Sequence, residues 1–267
     1  MCCSSYREPL GSNPFPALAQ SSVLTKNPHS IRGFGYSYCE QAAGSVRRTP
    51  GLREECTNDM NGAPGENLQS RGKLLVNLGS GPKGAAWLPT MFSDWRQFRV
   101  DVDPGAAPDL VADITDLSAI ATGSADAVWS AHCLEHLYLH EVGGAVAEAD
   151  RILADDGFLC LIVPDLQSIA GYIVNDRLHE VIYQSNAGPV TAHDMLFGFT
   201  PALAQGRTSM AHNCGFTPSL LMQKLQESRF AEIVLRRRPN HELAAVAQKR
   251  APAGAAERDA LLAALEL

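Results

Sequence analysis

The sequence KLLVNLGSGPKG occupies residues 73–84. A short apolar run leads into glycines, a pattern that predicts a buried β-strand followed by a tight turn. Gly79 and Gly81 carry no Cβ, so the backbone at these positions can turn sharply and approach a ligand closely. Ligands of open parallel sheets bind beyond the carboxyl ends of the strands. The end of this first strand is therefore a candidate ligand site.

The segments that follow this turn predict the rest of the sheet. Residues 140–153 place apolar side chains at helical spacing, and a turn is predicted at 155–157. Because the predicted strands are separated by helical segments and are largely apolar, they indicate a parallel sheet with helices on both faces. The strand segments are FRVDVDP (98–104), DLVADI (109–114), DAVWSA (126–131) and FLCLIVP (158–164).

A different pattern ends the regular part of the chain. Residues 220–228 have helical character, and residues 230–238 and 242–249 predict an antiparallel pair with a short connection. The fold expected from the sequence is therefore α/β and Rossmann-like. It has a mostly parallel sheet, a C-terminal antiparallel hairpin, and helices on both faces.

Composition excludes several classes of protein. The 267 residues are 45% hydrophobic, which excludes wholesale disorder. With 22 basic and 29 acidic residues the formal net charge is −7, so bulk binding to nucleic acid phosphates is not expected. No apolar run approaches the roughly 18 residues that span a bilayer. The beginning of the sequence lacks the pattern of a secretory signal, and the seven cysteines form no CxxC pair. These features predict a cytoplasmic protein with reduced thiols.

The chain divides by composition into three parts. Residues 1–70 are rich in Ser, Pro, Gly and Asn without a sustained period, which predicts a mostly disordered extension with at most a short docked element. Residues 71–250 form the predicted domain, and residues 251–267 a tail with a short helix. Within the domain, residues 175–216 are too long for a simple connection and are interrupted by glycines and prolines. This insert is predicted to be a mobile cover over the ligand edge.

The second predicted strand ends in an acidic residue that suits a nucleoside ligand. Asp101 follows Gly79 at roughly the 20-residue spacing at which a carboxylate accepts ribose hydroxyls, although Asp103 competes for this role. Gly79, Gly81 and Gly84 also match the GxGxxG pattern of nicotinamide dinucleotide sites. The glycine turn and Asp101 alone therefore leave two classes of cofactor open.

Other segments resolve this choice through a resemblance to a known family. Together the segments resemble class I S-adenosylmethionine-dependent methyltransferases of the type 11-like group, and within it a bacterial subgroup of predicted methyltransferases. The resemblance covers residues 73–249. It departs from the family pattern at Asn77, where an acidic residue is usual, and at Lys83, which replaces the third glycine. The segments are VNLGSGP (76–82), VDVDP (100–104), ADITDL (112–117), AHCLEHL (131–137), EADRILADDGFLCLIVPDL (148–166) and AHNCGFT (211–217).

The resemblance implies a class I methyltransferase fold, the cofactor S-adenosyl-L-methionine and a set of residues that bind it. The glycine turn would contact the methionine part, and Asp101 would bind the ribose. Asp113 would hydrogen-bond the adenine amino group, with Ile114 packed beside it. Ala131 and His132 would line the methyl-transfer side. The implied cofactor-binding residues are Asn77, Gly79, Ser80, Gly81, Asp101, Asp113, Ile114, Ala131 and His132.

Residues 132–136 also spell HxxEH, the inverted zinc-peptidase motif, and His140 extends the histidine series by four residues. A shared metal requires both histidines in one helix, whereas His132 is predicted to lie at the end of a strand. No metal is therefore expected, and Glu135 and His136 are interpreted as structural residues near the site. A zinc-dependent hydrolase and a non-catalytic S-adenosylmethionine-binding protein are the alternative functions.

The acceptor side is predicted from polar residues near the end of the last parallel strand and in the insert. Asp165, His193 and His212 are the candidate substrate residues. A general base is needed only for an acceptor that is protonated at neutral pH. His132, Asp165 and His212 all qualify, so the catalytic residue is left open. The acidic composition favours a small-molecule or saccharide acceptor.

Overall fold

A computed structural model describes residues 22–25, 72–84 and 88–267. In this part of the chain eight strands form the main sheet. They are β1 (Ser22–Thr25), β2 (Leu74–Leu78), β3 (Arg96–Asp101), β4 (Leu110–Val111), β5 (Ala125–Ala131), β6 (Leu153–Pro164), β9 (Glu232–Arg238) and β10 (Glu242–Gln248). Two more strands, β7 (Val181–Ser185) and β8 (Gly188–Thr191), form a separate antiparallel pair.

The order of the strands in the main sheet is β1-β9-β10-β6-β5-β2-β3-β4. Strands β2 to β6 are mutually parallel, and β10 runs antiparallel to both β6 and β9. This arrangement confirms the predicted fold, a mostly parallel sheet with a C-terminal antiparallel hairpin. The chain enters β10 at the edge where β6 ends, because Glu242 pairs with Pro164. The start of β10 therefore lies at the ligand edge of the parallel strands.

Helices and apolar clusters cover both faces of the sheet. The helices are α1 (Val142–Ile152), α2 (Leu166–Val174), α3 (Ala192–Phe197), α4 (Thr200–Ala204), α5 (Pro218–Gln226) and α6 (Ala255–Ala264). Neighbouring residues of β2 face opposite sides, so that Val76 packs with α1 and α5 while Leu75 packs in the other cluster with Trp129. Leu262 and Leu265 at the end of the tail are buried in this second cluster. None of the helices in the described residues is long and apolar enough to cross a membrane.

The structure differs from the sequence prediction at residues 155–157. Residues 155–157 belong to β6, which is continuous, and the predicted turn appears as a shift in pairing register between β5 and β6. Lys249 explains why this stretch stays extended, since its backbone amide donates to Gly157 and its ammonium group donates to the carbonyl of Leu153. Residues 134–136 form a 3₁₀-helix, and the α-helix after β5 begins only at Val142.

The insert at 175–216 contains β7, β8, α3, α4 and a 3₁₀-helix at Thr208–Met210. It has a small apolar core of its own, in which Val190 and Met195 pack against Ile169 of α2. In the N-terminal extension, β1 pairs antiparallel with β9. The rest of residues 1–71 lies outside the described residues, and the predicted disorder there, like the mobility of the insert, stays a prediction.

Candidate active site

The glycine turn after β2 passes directly against the end of β5. Gly79 and Gly81 have φ angles of 65° and 59°, in the left-handed region that favours glycine. A Cβ on Gly79 would lie 2.5 Å from Sγ of Cys133, so no larger residue fits here without displacing its neighbour. Burial raises the pKa of the Cys133 thiol to about 12, which keeps it neutral. The turn therefore places two backbone units without side chains at the ligand edge.

Asp101 lies at the end of β3 and holds this turn. Its Oδ2 accepts a hydrogen bond from the Gly81 amide at 2.8 Å, and its Oδ1 accepts one from the Asp103 amide at 2.9 Å. Asp103 instead accepts from Gly105 and caps the short helix of its own loop. A carboxylate offers about four acceptor positions, so Asp101 retains capacity for ribose hydroxyls. Of the two acidic candidates, Asp101 is the one attached to the glycine turn.

The turn, Asp101 and the insert line one cavity of about 950 Å³. Eight of the nine predicted cofactor residues belong to its lining. Asn77 is the exception, since it is buried in β2 and only 2% exposed. Asp113 lines the cavity with its carboxylate bonded to Thr115, and Ile114 beside it is buried. The eight lining residues are Gly79, Ser80, Gly81, Asp101, Asp113, Ile114, Ala131 and His132.

His132 follows β5 with an unusual positive φ of 51° and lies between two carboxylates. Its Nδ1 is 3.2 Å from Oε1 of Glu135, and its Nε2 is 3.1 Å from Oε1 of Glu242. Burial favours the neutral imidazole, but the hydrogen bonds with Glu135 and Glu242 outweigh it and raise the pKa of His132 to about 10. Both ring nitrogens donate in this arrangement. His132 is therefore an imidazolium at neutral pH and has no lone pair with which to act as a base.

The contacts of His132 with two carboxylates argue against the zinc-peptidase interpretation of HxxEH. Because both nitrogens of His132 bond to carboxylates, it does not share a metal position with His136. His136 instead meets His212 from the insert, with ring centroids 4.9 Å apart. Glu135, His136 and His212 form the one cluster of potential metal ligands found among the described residues. The sequence motif and the spatial cluster thus share only Glu135 and His136.

Residues of the insert line the cavity, but the three predicted substrate residues take different positions. His193 is exposed and packs on the Phe197 ring, outside the lining. Asp165 is 1% exposed, caps α2 through the Gln167 amide and accepts from Arg237 at 2.9 Å, so it is bonded within the protein. His212 lies against His136, which does line the cavity. Burial lowers the pKa of His212 and keeps this ring neutral.

Sequence reasoning missed the contribution of the hairpin. Arg238, Asn240 and Glu242 line the cavity from the connection between β9 and β10. Asn240 has a positive φ of 63°, which fits the predicted tight connection. The hairpin was predicted, but its position next to β6 was not. The order of the strands in the sheet places Glu242 beside His132, and local sequence patterns do not contain that order.

Part of the chain matches a known protein family. Residues 80–161 match the model of a family described as a methyltransferase domain. No curated protein matches the chain. Among solved structures, a protein of Pyrococcus horikoshii OT3 is 14% identical over 68% of this chain and 84% of its own, with a TM-score of 0.47. A methyltransferase of Methanosarcina mazei is 13% identical over 68% of this chain and 94% of its own, with a TM-score of 0.43.

A third solved structure is that of Burkholderia thailandensis 1,6-didemethyltoxoflavin-N1-methyltransferase, which holds 1,6-didemethyltoxoflavin and S-adenosylhomocysteine. It is 16% identical over 68% of this chain and 73% of its own, with a TM-score of 0.42. The match spans residues 80–161, and together with the mostly parallel sheet it supports a class I S-adenosylmethionine-dependent methyltransferase. Its cofactor is S-adenosylmethionine. The turn that excludes a Cβ at Gly79 and the carboxylate of Asp101 fit this cofactor.

Proposed function

We propose that this methyltransferase acts on a small polar molecule or a saccharide, which binds between the glycine turn and the insert. The observation that carries the proposal is the shared cavity. Its volume of about 950 Å³ is near the upper end of the range of about 300–1,000 Å³ for small-molecule sites. Such a volume leaves room for an acceptor beside the cofactor.

The glycine turn and the end of β3 are proposed to hold the cofactor. Gly79 and Gly81 allow close approach of the methionine part, and Asp101 accepts the ribose hydroxyls. Asp113 and Ile114 line the same cavity and are proposed to contact the adenine, Asp113 through a polar side chain and Ile114 through an apolar one. S-adenosylmethionine supplies an activated methyl group on a sulfonium, so the protein has chiefly to orient the acceptor and exclude water.

The insert and the hairpin are proposed to hold the acceptor. Their cavity-lining side chains combine polar groups with apolar surface, a mixture that suits a small polar molecule. His132 directs its two ring nitrogens to Glu135 and Glu242 and so holds these two carboxylates in place. It is a positioning residue in this proposal and not a general base. The lining residues from the insert and hairpin are Ala187, Phe199, Pro201, Ala202, Gln205, Arg207, Ser209, Met210, Arg238, Asn240 and Glu242.

Two measurements test this proposal. Isothermal titration calorimetry should detect S-adenosylmethionine and S-adenosylhomocysteine but not NAD, because residues 80–161 match a methyltransferase domain. The full chain is then incubated with methyl-labelled cofactor and a cell extract separated into small-molecule, saccharide, protein and RNA fractions. Label is expected in the small-molecule or saccharide fraction. Label that appears only in protein or RNA would contradict the proposed acceptor class.

A further inference from the structure

Three potential metal ligands converge at the wall of the cavity. Glu135, His136 and His212 each place one donor atom within 4.8 Å of the other two. Glu135 is fully buried. Its Oε1 contacts His132, whereas its buried Oε2 has no hydrogen-bond partner in the described part of the chain. A buried carboxylate oxygen without a partner costs free energy unless a cation or a donor satisfies it.

The two histidines have the tautomer that metal binding requires. Nδ1 of His136 lies 3.0 Å from the carbonyl oxygen of Ala211, and Nδ1 of His212 lies 3.0 Å from that of Met195. A carbonyl oxygen only accepts, so Nδ1 carries the proton in both rings and the lone pair is on Nε2. Histidine ligands of metals are held in this way, with the other ring nitrogen donating to a carbonyl or carboxylate.

Main-chain contacts fix these ligands although His212 lies far from the other two in sequence. The amides of Asn213 and Cys214 both donate to the carbonyl of Glu135, and the Asn213 side chain donates to the carbonyl of His136. On the other side of His212, Ala211 forms a β-bridge with Gly198. A Cβ on Gly198 would lie 2.0 Å from the Met210 carbonyl oxygen, so glycine is needed for this approach. The segment that carries His212 is thus held against residues 135–136.

We propose that Glu135, His136 and His212 bind a divalent transition-metal ion, with Zn²⁺ as the preferred ion. Two imidazoles and one carboxylate are a ligand set for zinc and for related first-row metals. Zn–N bonds of about 2.0–2.1 Å place the donor atoms of tetrahedral ligands about 3.3 Å apart. The three donor atoms, which lie within 4.8 Å of one another, must therefore move closer together when the ion binds. This set differs from HxxEH, because a histidine from the insert replaces His132.

Three protein ligands leave an open coordination position. His136 lines the cavity, so this position is available to water or to an oxygen or nitrogen atom of a ligand there. That a methyl acceptor supplies this atom rests on the proposed function, whereas metal binding itself does not. The ion would also link the insert to the 134–136 helix and so hold the cover of the cavity closed.

The test uses the full chain without a histidine tag, first stripped of metal with a chelator. Zn²⁺ is titrated by calorimetry, and Co²⁺ is followed by the visible absorption it gains in a site of low coordination number. One ion per chain is expected. His136→Ala and His212→Ala should each weaken binding at least about a hundredfold, since even the loss of an outer partner costs 10–100-fold. His140→Ala and His193→Ala are the matched controls, because both are exposed histidines outside the cluster, and they should bind as the wild type does.

A second readout guards against variants that fail to fold. Zn²⁺ at a hundredfold excess over its Kd should raise the Tm of the wild type by about 5 °C and leave that of His212→Ala unchanged. The cysteines are the same in every variant, so adventitious binding by thiols would not distinguish them. Equal Zn²⁺ binding by the wild type and both cluster variants would overturn the metal site. Failure of S-adenosylmethionine to bind would overturn the proposed function and leave the metal result standing.

Discussion

The replacement Asp101→Ala tests the assignment of the cofactor half of the cavity. The Asp101 carboxylate accepts hydrogen bonds from the Gly81 and Asp103 amides, and it is the predicted acceptor for the ribose hydroxyls. Hydrogen bonds to charged groups are worth about 1.5–3 kcal/mol, and 1.4 kcal/mol corresponds to a factor of ten in affinity. Asp101→Ala should therefore weaken S-adenosylmethionine binding at least about tenfold.

The variant also loses the carboxylate that holds the turn. Each of the two partly buried amide bonds ends on the same charged carboxylate and contributes about 1.5 kcal/mol, so Asp101→Ala should reduce the free energy of unfolding by about 3 kcal/mol. Calorimetry with S-adenosylhomocysteine measures the affinity, and urea denaturation measures the stability. Asp103→Ala is the matched control, because Asp103 also lines the cavity but bonds within its own loop. Tenfold weaker binding by Asp103→Ala, with Asp101→Ala unaffected, would refute the assignment of Asp101 to the ribose.

Two further replacements test the turn and the last parallel strand. Gly79→Ala should destabilise the protein more than Gly84→Ala in thermal melting, because both positions have positive φ but only a Cβ at Gly79 meets Cys133. The shared backbone strain is about 1–2 kcal/mol, and equal losses would show that the contact with Cys133 does not constrain the turn. Asp165→Ala should lower stability by about 2–4 kcal/mol, because it removes the buried partner of Arg237 and the cap of α2. If Asp165→Ala melts like the wild type while methyl transfer is lost, the substrate role first predicted for Asp165 is favoured instead.

Local patterns in the sequence were sufficient to predict the strands and the position of the ligand edge. An apolar run followed by glycines locates β2 and its turn, since the buried strand and the left-handed backbone depend on the residues themselves. The position of Asp101 at the ligand edge can be predicted in the same way. Asp101 ends the next strand, and the carboxyl ends of neighbouring parallel strands lie at the same edge of the sheet. Eight of the nine predicted cofactor residues consequently line one cavity.

The cluster around Glu135 was decided only by the tertiary structure. His132 is charged because Glu242, 110 residues away in sequence, starts a strand that lies beside β6. His212 meets His136 because the insert folds back and bonds to residues 135–136 across 77 residues of sequence. These contacts depend on strand order and on loop packing, which no periodicity of 2 or 3.6 residues encodes. The sequence by itself therefore determined the fold and the cofactor edge, whereas the charge of His132 and the partners of His136 were set by which distant segments the fold brings together.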